Sequence, residues 1–331
     1  SAEQTITNGI NLSGDGGMVW GKIRSSSDNH WIVDSENGIG SNGTYNYLQP
    51  NLTTALSNFG DRSVKTFNSD GFTLANSTND QFNLSPETYV SWTFKKQTKF
   101  FDVVTWTGTG GVRAINHNLG SVPGMIIVKW YNVNTDNWTV YHRGLNGGTD
   151  PEDYGIYLNL TNAAINESGF WNDTAPTSTQ FTVGGSLNSG FGGGGQYVAY
   201  LFAHDTASDG LIQCGTFSGQ PTSVNLGWQP QWLLCKRTDS TSNWVLLDNK
   251  RVTGGSENYL YANTNGVEQT SFDLVDFTST GFDVLSGLAG TQIYVAIRSA
   301  AAPAITWPTN IEWPAGITPS TPAEGETDVY T

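Results

Sequence analysis

The strongest constraint on this chain is that it repeats itself at the scale of a domain. Gly17-Met18-Val19-Trp20-Gly21-Lys22 returns as Gly124-Met125-Ile126-Ile127-Val128-Lys129 and again as Gln231-Trp232-Leu233-Leu234-Cys235-Lys236, the lysines 107 residues apart each time. A second tract follows in each copy: His30-Trp31-Ile32-Val33-Asp34, Asn137-Trp138-Thr139-Val140-Tyr141 and Asn243-Trp244-Val245-Leu246-Leu247-Asp248. Aligning the tryptophans pairs Trp31 with Trp138 and Trp244, and Asp34 with Tyr141, while Asp34 is matched by residue type to Asp248, one residue out of that register. Tyr47-Leu48, Tyr157-Leu158 and Tyr259-Leu260 then correspond, as do Phe72, Phe181 and Phe282. Each copy closes on an aromatic tract, beginning at Tyr89, Tyr197 and Ile293. One folding unit has been copied twice.

The openings differ. Val103-Val104-Thr105-Trp106-Thr107-Gly108 matches Cys214-Gly215-Thr216-Phe217-Ser218-Gly219, and Asn118-Leu119-Gly120 matches Asn225-Leu226-Gly227. Asn11-Leu12 lies 107 residues before Asn118-Leu119, so the strand preceding it falls at or before residue 1. The first copy is expected to lack that strand, which is then cleaved, unseen, or supplied by another chain.

The apolar tracts are short and rich in Val, Ile, Thr and aromatics. Turn pairs such as Asn8-Gly9, Asn42-Gly43, Asn146-Gly147 and Asn265-Gly266 punctuate them, which is the pattern of strands joined by hairpins. The best helical stretch, Asn159 to Ala164, allows one or two turns. The sequence therefore predicts an all-β chain of three tandem β-sandwich repeats, of laminin-G or concanavalin-like jelly-roll form. The expected boundaries are 1–97 (lacking its N-terminal strand), 98–206 and 207–302. Pro303, Pro308, Pro314, Pro319 and Pro322 make 303–331 an extended Pro/Trp-rich arm.

Charge narrows the partners. With 15 basic and 29 acidic residues the net charge is -14, which disfavours nucleic acid and anionic membrane surfaces. Lys95-Lys96 with Lys99, and Lys236-Arg237, are expected on solvated strand ends rather than in a phosphate-binding groove. No apolar run approaches the roughly 20 residues needed to span a bilayer. Cys214 and Cys235 align with Val103 and Val128, so both are expected as buried thiols; a bond between them would require neighbouring strands.

No constellation of residues points to catalysis. The four histidines, His30, His117, His142 and His204, are scattered, and Gly192 to Gly195 lacks the Lys-Ser/Thr of a phosphate loop. Asp34/Glu36 and Asp150/Glu152/Asp153 are the densest acidic groups, the type a glycosidase would pair across a cleft. Calcium is conceivable through Asp15, Asp34 and Asp102 without a motif that selects them, and no other cofactor is implied. The aromatics that do not repeat, Trp130, Tyr131, Trp171, Trp228, Trp307 and Trp313, are the candidates for a surface or interface.

Phe100 to Gly108, His117 to Lys129 and Trp138-Thr139-Val140-Tyr141-His142 resemble a repeat domain of structural proteins in marine and cyanobacterial tailed phages. Tyr157 to Thr161, Pro176 to Val183 and Tyr197 to Ala203 share the likeness, which covers residues 10 to 300. The resemblance implies a non-enzymatic virion protein assembled in the host cytoplasm: a tail fibre or receptor-binding component. It would dock on other virion proteins as a homo-oligomer, taken as a trimer, and contact a host glycan or protein. A capsid decoration or head-fibre protein is the alternative, and a secreted carbohydrate-binding or carbohydrate-active protein is the rival from another class. The ending, from Trp307 onward, is similar to the start of a C-terminal segment of such fibres.

Overall fold

A computed structural model describes residues 2–58, 63–76, 82–133, 135–188 and 194–298. Its described strands fall into six separate sheets, with no barrel. The first copy contributes β1 (Gln4–Thr7), β2 (Gly17–Ile23), β3 (Trp31–Asp34), β4 (Val64–Asn68), β5 (Gly71–Leu74) and β6 (Tyr89–Lys95). The second contributes β7 (Phe101–Thr107), β8 (Arg113–Asn116), β9 (Pro123–Trp130), β10 (Thr139–His142), β11 (Tyr154–Tyr157), β12 (Ile165–Asn166), β13 (Gln180–Val183) and β14 (Gln196–Ala203). The third contributes β15 (Ile212–Ser218), β16 (Thr222–Asn225), β17 (Trp232–Arg237), β18 (Trp244–Thr253), β19 (Ser256–Tyr261), β20 (Val275–Thr278), β21 (Gly281–Val284) and β22 (Thr291–Ile297).

Each copy has two sheets, one carrying the lysine strand, called large, and a second, called small; in the first copy both have three strands. The large ones run β3-β2-β6, β12-β11-β10-β9-β14-β7 and β15-β22-β17-β18-β19, and the small ones β1-β5-β4, β13-β8 and β16-β21-β20. All the described pairings are antiparallel, and every strand of the lysine motif lies between the second tract and the closing strand of its copy. Strand β14 is flanked by β7 and β22 by β15, but among the described residues no strand lies on the far edge of β6.

Apolar residues on opposite faces of the large sheets serve different cores. In the first copy Val19, Trp31 and Val33 meet Ile6, Phe72 and Leu74 of the small sheet. In the third, Leu233, Cys235, Val245 and Leu247 meet Val275, Phe282 and Val284. These are sandwich-like layers. The other faces converge. One continuous cluster joins Met18, Trp20, Trp92 and Phe94 to Met125, Trp138, Tyr200 and Phe202, and to Trp232, Trp244, Leu246 and Val295. At its centre the Phe94 ring stands edge-on to Phe202 at 5.6 Å and to Trp232 at 5.5 Å, so one residue from each copy meets the other two. The three copies therefore do not each close around a core of their own: they share their largest one.

The strand registers also revise the alignment. Gly21 faces Trp31, Val128 faces Thr139, and Cys235 faces Val245. Trp31 therefore corresponds to Thr139 and Val245, while His30 occupies the place of Trp138 and Trp244. A one-residue slip moves a side chain to the other face of its sheet. Trp31 indeed packs outward on Phe82, at 4.8 Å, whereas Trp138 and Trp244 face the common core. By the same logic Asp34 corresponds to His142 and Asp248, and Ile293, opposite Lys236, corresponds to Val90 and Val198 rather than to Tyr89. Leu48 bridges Ile32 where Ile156, not Leu158, pairs with Val140.

The stretch Asn159 to Ala164 is not helical. The Asn159 side chain accepts instead from the Trp138 amide, far back along the chain. Among the described residues, no helix is long and apolar enough to cross a membrane. The arm 303–331 lies outside the described residues.

Candidate functional site

Turning three sheet faces toward one another buries polar groups at the seams, and each needs a partner. An asparagine pair repeats at every copy. The Asn51 side chain accepts from the His30 amide and donates to Asn29 Oδ1 at 2.7 Å. Asn159 treats Trp138 and Asn137 alike, and Asn263 does the same for Trp244 and Asn243, both donating at 2.8 Å. This clamp fixes the residue whose ring reaches across the seam. His30 Nε2 donates to Tyr261 O of the third copy, Trp138 Nε1 to Leu52 O of the first, and Trp244 Nε1 to Tyr157 O of the second, at 3.2, 2.9 and 2.8 Å. The relation is cyclic.

The three lysines occupy equivalent places and are fully buried, which corrects the solvated strand end expected for Lys236. Lys129 Nζ donates to Thr53 O and Asp136 O, and Lys236 Nζ to Thr161 O, Arg237 O and Ser242 O. Lys22 donates to the carbonyls of Ile23 and Ser26 within its own copy. Burial pushes each ammonium down to about 8. Their ligands are backbone carbonyls, so the lysines fasten loops to strands and, in two copies, one copy to the previous one.

Most of the sequence-selected carboxylates also fasten structure. Asp34 is buried, accepts from the amides of Glu36 and Asn37, and takes the Tyr200 hydroxyl of the second copy at 2.7 Å. Burial raises its carboxyl above the ordinary range against the pull of those donors. Asp248, in the equivalent place, accepts from Trp92 Nε1 of the first copy and from Arg251. At the same position His142 donates to Tyr294 O of the third copy at 2.9 Å. Asp102 accepts from the Asn118 amide and pairs with Lys96, which also holds Glu36. Asp15 reaches Lys95 near the surface. Asp15, Asp34 and Asp102 are not brought together as one cation site. Asp150 precedes a surface 3-10 turn, Pro151–Asp153.

The candidate surface aromatics divide. Trp171 is 2% exposed, meets Tyr141 edge-on and donates to Tyr154 O. Trp228 is 6% exposed, in the third copy's outer core beneath Arg298. Both are core residues, which corrects their expected surface role: an indole that lacks a repeat partner can still fill a copy-specific gap. Trp130 and Tyr131 are half-buried. Trp130 stacks on Tyr197 at 5.4 Å, and the Tyr131 carbonyl accepts from the Leu56 amide across the first seam. Trp307 and Trp313 lie outside the described residues. Cys214 and Cys235 are buried free thiols, raised by burial, as expected from their apolar sister positions.

A polar cleft of about 220 Å³ opens on the second copy, lined by Asp136, Asn137, Tyr157, Glu167 and Ser186 among others. It is smaller than typical small-molecule sites of roughly 300–1,000 Å³. Burial raises the Asp136 carboxyl despite Lys129 nearby, and it raises the Tyr157 phenol, helped by Asp136 and Glu167. Glu167 also accepts from the Gly169 amide. The cleft offers hydroxyl-compatible donors and acceptors beside one tyrosine ring. A separate acidic group, Glu257, Asp273 and Asp276, is the one set of metal-type ligands grouped among the described residues. Sequence reading missed both, because their members come from separate tracts. The asparagine clamp did leave a signal, Asn-X followed 20 to 22 residues on by Asn, in all three copies.

A search of curated proteins and a search of solved structures each returned no match. One family model matches residues 1–297 and so spans all three copies without a break. The chain belongs to that family, DUF7483, a domain of unknown function.

Proposed function

We propose that this chain is a non-enzymatic structural component of a bacteriophage virion, a tail fibre or receptor-binding protein that contacts the host surface. The observation that supports this most is the single core shared by the three copies. Buried polar side chains that might have served chemistry, Asp34, His142, Asp248 and the three lysines, are engaged in joining copies or loops. Such a block is suited to holding variable loops rigidly outward. The phage resemblance of residues 10 to 300 points the same way.

Within this reading each copy is a jelly-roll sandwich of the laminin-G or concanavalin kind, with units at 1–97, 98–206 and 207–302 and the arm 303–331 following. Assembly as a homotrimer on other virion proteins belongs to the same proposal, and sedimentation of the full chain tests it. Gold-labelled antibody against the protein, applied to purified tailed-phage particles, tests the location. Label on tail fibres supports the proposal, and label on the capsid replaces it with the decoration or head-fibre alternative. Particles that carry none of the protein overturn both.

The cleft favours a second reading, a carbohydrate-binding protein, because Asp136, Asn137, Glu167 and Ser186 could bond sugar hydroxyls beside Tyr157. A glycan array probed with the wild type and with Asn137→Ala tests it. Signal lost in the variant supports the cleft, and no signal with either disposes of this reading.

A further inference from the structure

The third copy gathers negative charge in a way its sisters do not. Glu257 on β19, Asp273 in the loop before β20 and Asp276 on β20 place one carboxylate oxygen each within 4.8 Å of one another. Asp283 on β21 sits directly opposite Asp276 in the strand register, and like charges facing across an antiparallel pair repel. None of the described ion pairs involves any of these four residues.

Two of this group's carboxylate oxygens are also held away from water. Glu257 is 9% exposed. Its Oε1 accepts from the Phe277 amide at 3.2 Å, but its buried Oε2 meets no donor. Asp273 Oδ1 is buried without a donor as well. A buried carboxylate oxygen left without a partner costs on the order of 1–3 kcal/mol or more. A proton or a cation can relieve it. Burial, and then the neighbouring acids, raise the Glu257 and Asp276 carboxyls above their ordinary range.

We propose that Glu257, Asp273 and Asp276 bind a divalent cation, with Ca²⁺ the preferred ion. Donors that are all oxygen select hard cations over zinc or copper. Ca²⁺ accepts irregular sets of six to eight oxygens about 2.3–2.6 Å away, completed by carbonyls and water, whereas Mg²⁺ demands a near-ideal octahedron. Oxygens no more than 4.8 Å apart can all reach one ion at those distances. The ion fixes the segment carrying Asp273. Next to it stands Phe272, the most exposed large apolar side chain among the described residues at 67%. Cation binding therefore sets the position of an apolar contact point on the surface of the third copy.

The test uses the full chain, dialysed against EDTA and titrated with CaCl2, MgCl2 or MnCl2 by calorimetry and thermal melting. One Ca²⁺ per chain is expected, bound more tightly than Mg²⁺, with a melting temperature about 5 °C higher at a hundredfold excess over Kd. Asp273→Asn is expected to weaken Ca²⁺ at least tenfold. In EDTA it should melt no lower than the wild type, since it removes repulsion, so lost binding cannot be ascribed to misfolding. Asp15→Asn, far from the group, leaves binding unchanged. Absence of heat and of a melting shift with all three cations up to about 10 mM overturns the proposal. So does Ca²⁺ binding that Asp273→Asn and Asp276→Asn leave intact.

Discussion

Glu268 joins the first copy to the third, and Glu268→Gln keeps its shape while removing its charge. Its carboxylate takes Arg24 Nη2 at 2.6 Å and Nε at 3.0 Å, and Arg251 Nη1 at 2.6 Å. The Arg251 side chain is fully buried and keeps only Asp248 as an anionic partner once Glu268 is neutral. Breaking a buried ion pair from one side costs about 3–5 kcal/mol. Arg24 is 14% exposed and regains some water, so the low end, about 3 kcal/mol, is expected. At roughly 2 °C per kcal/mol for a chain this size, the melting temperature falls by about 6 °C. Glu3→Gln is the control: its pair with Lys65 is exposed on both sides, and it should change stability by less than about 0.5 kcal/mol. Burial alone would raise the Glu268 carboxyl, but Arg24 and Arg251 hold it below the ordinary carboxylate value. A carboxyl lowered in the folded state gives its full stabilisation above the unfolded pKa and loses it as pH falls through the folded value. The gap between wild type and variant should therefore be constant from pH 6 to 8 and close below about pH 4.5. Urea unfolding at several pH values, followed by tryptophan fluorescence, measures it. A gap under 1 kcal/mol at pH 7, or one that persists undiminished at pH 3, would refute the assignment.

Gly21→Val should destabilise by at least about 2 kcal/mol, because a Cβ there stands 2.1 Å from the Trp31 ring. Adding Trp31→Thr recreates the Val128–Thr139 pair and should restore most of the loss; denaturation midpoints decide. Burial pushes His30 and His142 down to about 3, so between that value and the unfolded 6.5 the unfolded chain binds more protons. Their contribution to stability should then fall as pH drops below 6.5, by about 1.4 kcal/mol per pH unit for each histidine; imidazole NMR signals that titrate near pH 6 would contradict this. Cys214 and Cys235 should react with a thiol reagent no faster than the chain unfolds, and rapid labelling of the native protein would count against their burial.

Strand content and the periodicity were legible in the sequence because alternating apolar tracts and Asn-Gly turns act locally. The lysine motif aligned correctly, since its buried lysine has the same carbonyl-binding role three times. The tracts beside it are offset by one or two residues because Trp31 and Trp138 share a residue type but not a face of their sheets. The volume trade at Gly21–Trp31 hides that shift: a large residue moved outward where its partner became small. The shared core was not legible. Apolar residues on both faces of a strand say that it is covered twice, not that a sister copy provides the cover. The burial of Trp171 and Trp228 was not legible for a related reason: a residue without a repeat partner need not be exposed. The acidic group of the third copy depends on contacts between β19, β20 and the loop before β20, which no spacing rule connects.

Placing Asp34, His142 and Asp248 at one position of three copies in a single chain has a genetic consequence. In an assembly of three identical chains, any change at that position strikes every boundary at once. Here it strikes one, while two intact boundaries keep the block together. Each junction has accordingly settled on its own chemistry, a phenol on a carboxylate, an imidazole on a carbonyl, an indole with a guanidinium on a carboxylate. The outward loops of the three copies can thus differ from one another without a change in the packing beneath them.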